Sequence, residues 1–140
     1  DIAPFIAAFD AAVKRMYPAG PVSPDYSSII NERHAARLTA LLDDARSKGA
    51  RLIEVGHAPE SAATRPHTLA PTLVRDATDD MRILQEEIFG PLLPLCASAD
   101  IDHAIATINA RPRPLALYYF GPAGAERDAP PPATSPSTTP

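Results

Sequence analysis

Two adjacent carboxylates, Glu86 and Glu87, stand just before an aromatic residue and a Gly-Pro pair in the stretch QEEIFGP. Neighbouring side chains diverge in helices and in strands, so the two acids are not expected to share a gap of roughly 5 to 9 Å, as two-carboxylate hydrolysis requires. One glutamate could instead accept hydrogen bonds from a sugar diol, while Phe89 offers a flat apolar face and Gly90 allows a sharp turn. The alternative is a solvated surface pair, which is the usual state of carboxylates.

The other chemically capable residues form no recognised catalytic or metal-binding pattern. Cys96 is the only cysteine, and a lone cysteine with a histidine can serve as a thiolate nucleophile. Cys96 ends an apolar run, however, so we expect it to be buried and inert. The chain contains no metal-ligand spacing, phosphate-binding glycine loop or nucleophilic serine elbow. Three histidines are expected to be ordinary surface residues: His57, His67 and His103.

The elements that must position these residues follow from hydrophobic periodicity. Apolar side chains recur at helical spacing over residues 3–16, 31–48 and 100–110, which predicts three amphipathic helices. Asn31 suits the N-cap of the second helix, and Gly49 stands where a left-handed C-terminal residue belongs. Short apolar runs predict strands over residues 51–55, 73–75, 92–97 and 115–120, with a loop over 56–71. The helix-Gly-strand order indicates an α/β layered fold.

Composition excludes two classes of partner. A net charge of -4 over 140 residues leaves no basic patch for nucleic acid. No apolar run approaches the roughly 18 residues of a membrane span, and the first residues lack a signal-peptide pattern. The single cysteine suits a reducing, cytoplasmic location. Residues 121–140 contain six prolines and no Leu, Ile, Val or aromatic residue, so we expect a disordered tail there.

Several blocks of the sequence resemble the aldehyde dehydrogenase superfamily. The stretch at residues 85–91 is similar to the EEIFGP motif of that family. The blocks at 29–34 (IINERH), 70–73 (APTL), 109–111 (NAR) and 114–118 (PLALY) follow in family order. Together they resemble the branch that contains coniferyl and fatty aldehyde dehydrogenases. The resemblance covers about residues 1–120 and implies a three-layer α/β part of the catalytic domain.

The resemblance also implies roles for individual residues. Glu87 matches the glutamate that holds the nicotinamide-ribose hydroxyls, and Phe89 matches the phenylalanine beside the nicotinamide. His34 and Arg37 match helix positions near the adenosine ribose. The cofactor is then NAD or NADP, and the reaction oxidises an aldehyde, of a coniferyl-like aromatic type, to a carboxylic acid. The parent enzyme is expected to be a homo-oligomer.

The chain departs from the family pattern in one respect that matters for activity. The family's nucleophilic cysteine, general-base glutamate and dinucleotide domain correspond to segments before residue 1, and Cys96 matches no catalytic position. We therefore expect residues 1–120 to be a partial catalytic domain and 121–140 an unrelated or out-of-frame tail. The isolated chain is expected to be inactive. The alternative is a non-catalytic α/β module that binds a nucleotide or a full-length subunit.

Overall fold

The computed structural model describes residues 2–56 and 65–121. These residues belong to two units, one over Asp1–Ala97 and one over Ser98–Pro140, and each is considered by itself. His57 and residues 57–64 of the expected loop over 56–71 lie outside the described residues, as do residues 122–140 of the tail expected over 121–140. The first unit contains all four residues expected at the cofactor site.

Two helices of the first unit begin and end close to where the sequence predicts them. Helix α1 spans Ala3–Met16, with a proline in its first turn. Helix α2 spans Glu32–Ser47, and the side chain of its N-cap, Asn31, accepts a hydrogen bond of 2.8 Å from the His34 amide. Gly49 follows α2 with a φ of +96°, a left-handed conformation that glycine adopts without steric cost. Local spacing and capping therefore predicted these helices correctly.

The sheet of the first unit has three short strands in the order β1-β2-β3. Strand β1 spans Arg51–Glu54, β2 spans Thr72–Arg75 and β3 spans Leu92–Leu95. β1 pairs antiparallel with β2, and β2 pairs parallel with β3. The described residues of this unit also form two short 3-10 helices, Gly20–Val22 and Arg82–Leu84.

The two faces of this sheet are covered by different helices. On one face, Leu38 and Leu41 of α2 pack in a cluster with Val74 and Leu92. On the other face, Val13 of α1 packs in a cluster with Leu73. Because successive side chains of a strand point to opposite faces, the neighbours Leu73 and Val74 serve the two clusters separately. The first unit is thus a helix-sheet-helix sandwich, which confirms the expected α/β three-layer fold.

Within its described residues, 98–121, the second unit carries one helix, α3, over Ile101–Asn109. Its N-cap Asp100 accepts a hydrogen bond of 2.8 Å from the His103 amide. The strand predicted over 115–120 is wrong: those described residues belong to no strand. Their composition favours a strand, but a strand forms only when a neighbouring backbone accepts and donates its ladder hydrogen bonds. Leu115 is 100% exposed and Phe120 is 92% exposed. Among the described residues, none of the helices has the length and apolarity to cross a membrane.

Candidate functional site

The QEEIFGP stretch forms a loop that lies against helix α2. Residues 85–91 follow the short helix Arg82–Leu84 and lead into β3. Buried Ile83 anchors the loop at one end, and buried Leu92 anchors it at the other. Both belong to the cluster that also contains Leu38 and Leu41 of α2. The helix and the loop are therefore held together by the hydrophobic core, and their polar groups meet at its edge.

Glu86 is engaged by two arginines. Arg82 Nε donates a hydrogen bond of 2.8 Å to Glu86 Oε1, and Arg37 Nη1 donates one of 3.3 Å to Glu86 Oε2. The Arg82 hydrogen bond, and to a smaller extent that from Arg37, lowers the pKa of the Glu86 carboxyl. The sequence had assigned this residue no role. The structure shows a carboxylate that links α2 to the loop.

Arg37 and His34 hold the backbone of the same loop. Arg37 Nη2 donates to the carbonyl oxygen of Ile88, and Arg37 Nε donates to His34 Nδ1 at 3.4 Å. His34 Nε2 lies 2.8 Å from the carbonyl oxygen of Phe89. The structure therefore brings His34 and Arg37 together with Phe89. The adenosine-ribose contact expected for these two residues stays a prediction, because the polar atoms named here bind the loop.

The backbone at Phe89 is strained, and Gly90 is needed for a different reason from the one expected. Phe89 has a φ of +50°, in the left-handed region, which costs an L-residue roughly 1–2 kcal/mol. Gly90 is not among the glycines with positive φ. A Cβ at Gly90 would lie 2.5 Å from Leu38 Cδ1, so glycine is required there by close packing on α2. The Phe89 ring projects outwards and is 75% exposed.

Glu87 contrasts with its neighbour. Its side chain is exposed, and within residues 2–56 and 65–121 it makes no hydrogen bond or ion pair. An ionised carboxylate with both oxygens free can accept hydrogen bonds from two hydroxyls at once. Of the two adjacent acids, Glu87 is the one available to a ligand.

An open groove of about 720 Å³ lies beside this loop. Its lining combines the start of α2 with the exposed aromatic ring and comprises Ile30, Asn31, Arg33, His34, Arg37 and Phe89. The Arg33 guanidinium near the N-terminus of α2 contributes positive charge, whereas that of Arg37 is paired with Glu86, and Phe89 adds an apolar face. The groove suits a ligand that carries both an anionic group and a flat ring.

The other sequence candidates do not join this site. Cys96 is exposed, so the expectation of a buried thiol is wrong; the residue follows the last position of β3 and leaves the core there. His67 and His103 are exposed, as expected. His103 Nδ1 lies 2.9 Å from Ser98 Oγ. Across the described ranges, no group of three or more His, Cys, Asp or Glu residues could hold a metal ion.

Comparison with known proteins identifies the family. The profile of the aldehyde dehydrogenase family matches residues 2–126. The probable coniferyl aldehyde dehydrogenase of Caulobacter vibrioides is 45% identical over 129 residues, which is 91% of this chain and 27% of that protein. This chain therefore spans about a quarter of the length of that relative.

Solved structures agree with this assignment. The substrate-bound state of Staphylococcus aureus AldH matches 90% of this chain and 26% of that chain, with a TM-score of 0.76 and 36% identity. The NADP-dependent glyceraldehyde-3-phosphate dehydrogenase of Bacillus halodurans C-125, complexed with NADP, matches 78% of this chain and 22% of that chain, with a TM-score of 0.59 and 30% identity. The chain belongs to the aldehyde dehydrogenase family.

Proposed function

We propose that this chain forms the nicotinamide-ribose part of the cofactor site in an NAD(P)-dependent aldehyde dehydrogenase. Glu87 accepts hydrogen bonds from the ribose hydroxyls, and the Phe89 ring packs beside the nicotinamide. The observation that carries the proposal is the difference between two adjacent acids. Glu86 is engaged by Arg37 and Arg82, whereas Glu87 is exposed without such a partner in the described residues.

The residues present fit this cofactor chemically. A free carboxylate matches a vicinal diol, because both hydroxyls of the diol donate hydrogen bonds. The exposed face of Phe89 matches a flat heterocycle. Arg33 lines the adjoining groove and matches the negative charge of a dinucleotide diphosphate. His34 and Arg37 remain our candidates for the adenosine side of the cofactor.

The proposed reaction of the parent enzyme oxidises an aldehyde to a carboxylic acid, and the cofactor, when bound, accepts the hydride. A coniferyl-type aromatic aldehyde is the proposed substrate class. It is supported by the 45% identity to the probable coniferyl aldehyde dehydrogenase of Caulobacter vibrioides. The same proposal includes a homo-oligomeric parent that acts in the cytoplasm.

The chain by itself is proposed to be catalytically silent. Covalent aldehyde oxidation needs a thiolate nucleophile, and the only cysteine of these 140 residues is Cys96. Cys96 follows β3, whereas the residues proposed for the cofactor lie on α2 and on the loop before β3. We therefore expect no NADH above a blank when the purified chain is mixed with NAD and coniferyl aldehyde. NADH formation by the unmutated chain would contradict this expectation, and its loss in a Cys96→Ser variant would assign the activity to that thiol.

Cofactor binding is tested by titrating the chain with NAD and NADP while recording backbone NMR shifts, which detect millimolar affinities. We expect shifts at Glu87 and Phe89 and at the first turn of α2. The Glu87→Gln variant should bind at least tenfold more weakly, since a hydrogen bond to a charged acceptor contributes about 1.5–3 kcal/mol. Glu54→Gln, a matched change at an exposed acid of β1, should bind the cofactor with the affinity of the unmutated chain. Equal affinities for the parent and Glu87→Gln would refute the role of Glu87.

A further inference from the structure

The loop that presents Glu87 and Phe89 depends on α2 side chains for its conformation. At one end of the loop, the Gln85 and Glu86 amides donate to the Arg82 carbonyl at 2.9 and 3.0 Å. At the other end, the Gly90 carbonyl accepts from the Leu92 amide at 2.9 Å and the Pro91 carbonyl accepts from the Thr72 amide at 2.8 Å. Between them, the carbonyls of Ile88 and Phe89 are bound by side chains of α2. Side chains thus do here what a ladder of backbone hydrogen bonds does in a strand.

Arg37 is the residue that joins these contacts. Its three guanidinium nitrogens each reach a different partner: the Glu86 carboxylate, the Ile88 carbonyl and the His34 ring. The planar fork of arginine can hold several acceptors at once, whereas a lysine ammonium is a single compact charge. A lysine at this position would keep the charge and lose the geometry.

The same contacts define the tautomer of His34. A carbonyl oxygen can only accept, so His34 Nε2 must carry the hydrogen that is donated to Phe89. Arg37 Nε can only donate, so His34 Nδ1 must be unprotonated and accept. These two contacts place the hydrogen on Nε2 and leave Nδ1 as the acceptor. The Phe89 carbonyl and Arg37 both select this tautomer, so removing Arg37 removes one of the two groups that hold it.

We propose that Arg37 and Glu86 are positioning residues: Arg37, paired with Glu86, fixes the Ile88–Phe89 backbone and the His34 tautomer so that Glu87 and Phe89 are presented in one conformation. This inference deepens the proposed cofactor site and rests on it for its functional meaning. The positioning of the loop itself follows from the contacts of Arg37 and Glu86 and does not depend on the cofactor. Neither residue needs to touch the cofactor for this role.

The test compares the full chain with Arg37→Lys and with Arg46→Lys. Arg46 is the matched control, because it lies on the same helix and makes one exposed ion pair, to Asp43 at 3.0 Å. Backbone order parameters at Phe89 and Gly90 should fall from about 0.85 in the parent to below about 0.6 in Arg37→Lys. They should not change in Arg46→Lys. The nitrogen shifts of the His34 ring should show the Nε2-protonated tautomer in the parent and a mixture of tautomers in Arg37→Lys.

A second variant, Glu86→Gln, keeps the test decisive if Arg37→Lys unfolds. It removes the negative charge on an exposed side chain, and it should also lower the order parameters at Phe89. Unchanged loop dynamics and an unchanged His34 tautomer in Arg37→Lys would overturn the proposal. Failure of the parent chain to bind NAD or NADP would instead count against the cofactor site, because these loop measurements need no ligand.

Discussion

The loop at residues 85–91 and the segment at residues 115–120 each differ in structure from what their amino-acid composition suggests. The loop has no regular secondary structure, yet its carbonyls and its first carboxylate are held by Arg37 and His34. The composition of the segment favours a strand, yet its residues form none. Leu115 and Phe120 are almost fully exposed. Partners for the polar backbone groups, rather than intrinsic propensity, decide whether a stretch forms a strand.

The largest effect should come from the residue beneath the loop. Leu38 is fully buried, and its side chain lies directly under Gly90. Leu38→Ala should lower the free energy of unfolding by about 2–5 kcal/mol, since it removes packed methyl groups and leaves a cavity. Urea unfolding followed by circular dichroism measures the change. A loss below about 1 kcal/mol would mean that the loop does not depend on this contact.

Gly90→Ala should have the next largest effect. The new Cβ would lie 2.5 Å from Leu38 Cδ1 and 2.9 Å from Leu38 Cδ2, so the loop or the leucine must move. We expect a loss of about 1–3 kcal/mol in the parent. In the Leu38→Ala background the same change should cost much less, and the coupling measured by a double-mutant cycle should be favourable. Additive effects would show that the close approach is relieved without cost.

Mild acid should leave the loop intact, and stronger acid should release it. The pKa of Glu86 is lowered from its ordinary value of 4.5, chiefly by the hydrogen bond from Arg82. A carboxyl whose pKa is lower in the folded state stabilises that state above its unfolded pKa, and this contribution is lost as the pH falls through the folded pKa. The Tm of the unmutated chain should therefore exceed that of Glu86→Gln by its largest amount near pH 7. This difference should vanish at pH values well below 4.5.

Asp44 and Asp76 provide the check on that pH experiment. The pKa of Asp44 is lowered mainly by the hydrogen bond from the Arg82 amide, and that of Asp76 mainly by the one from Arg51. Both carboxyls titrate in the parent and in Glu86→Gln, so they shift both stability curves alike. A difference in Tm that stays constant down to low pH would show that the Glu86 charge does not stabilise the loop.

The smallest change in the free energy of unfolding should come from a substitution in the segment at residues 115–120. Leu117 is 72% exposed, so Leu117→Ser removes little buried apolar surface. We expect a change within about 0.5 kcal/mol in the same urea experiment, as for most exposed positions. Leu38→Ala is the natural comparison, because it truncates a leucine that is fully buried. A loss of 2 kcal/mol or more for Leu117→Ser would show that the Leu117 side chain is packed against a partner.

Local features of the fold were predictable, and long-range ones were not. The spacing of apolar residues and the N-cap Asn31 predicted the helices to within one or two residues. The predicted burial of Cys96 was wrong, because an apolar run does not reveal where its strand leaves the core. Strand propensity at residues 115–120 was equally uninformative about whether a neighbouring strand exists.

The sequence by itself determined the helices, the layered fold and the family, because periodicity, capping and motif order are local properties of the chain. It also singled out the pair Glu86 and Glu87 beside Phe89. Only the tertiary structure decided which acid is engaged, because Arg37 lies 49 positions before Glu86 and no local pattern links them. The free carboxylate at Glu87 and the left-handed backbone at Phe89 follow from those distant contacts, whose geometry exists only once α2 packs under the loop.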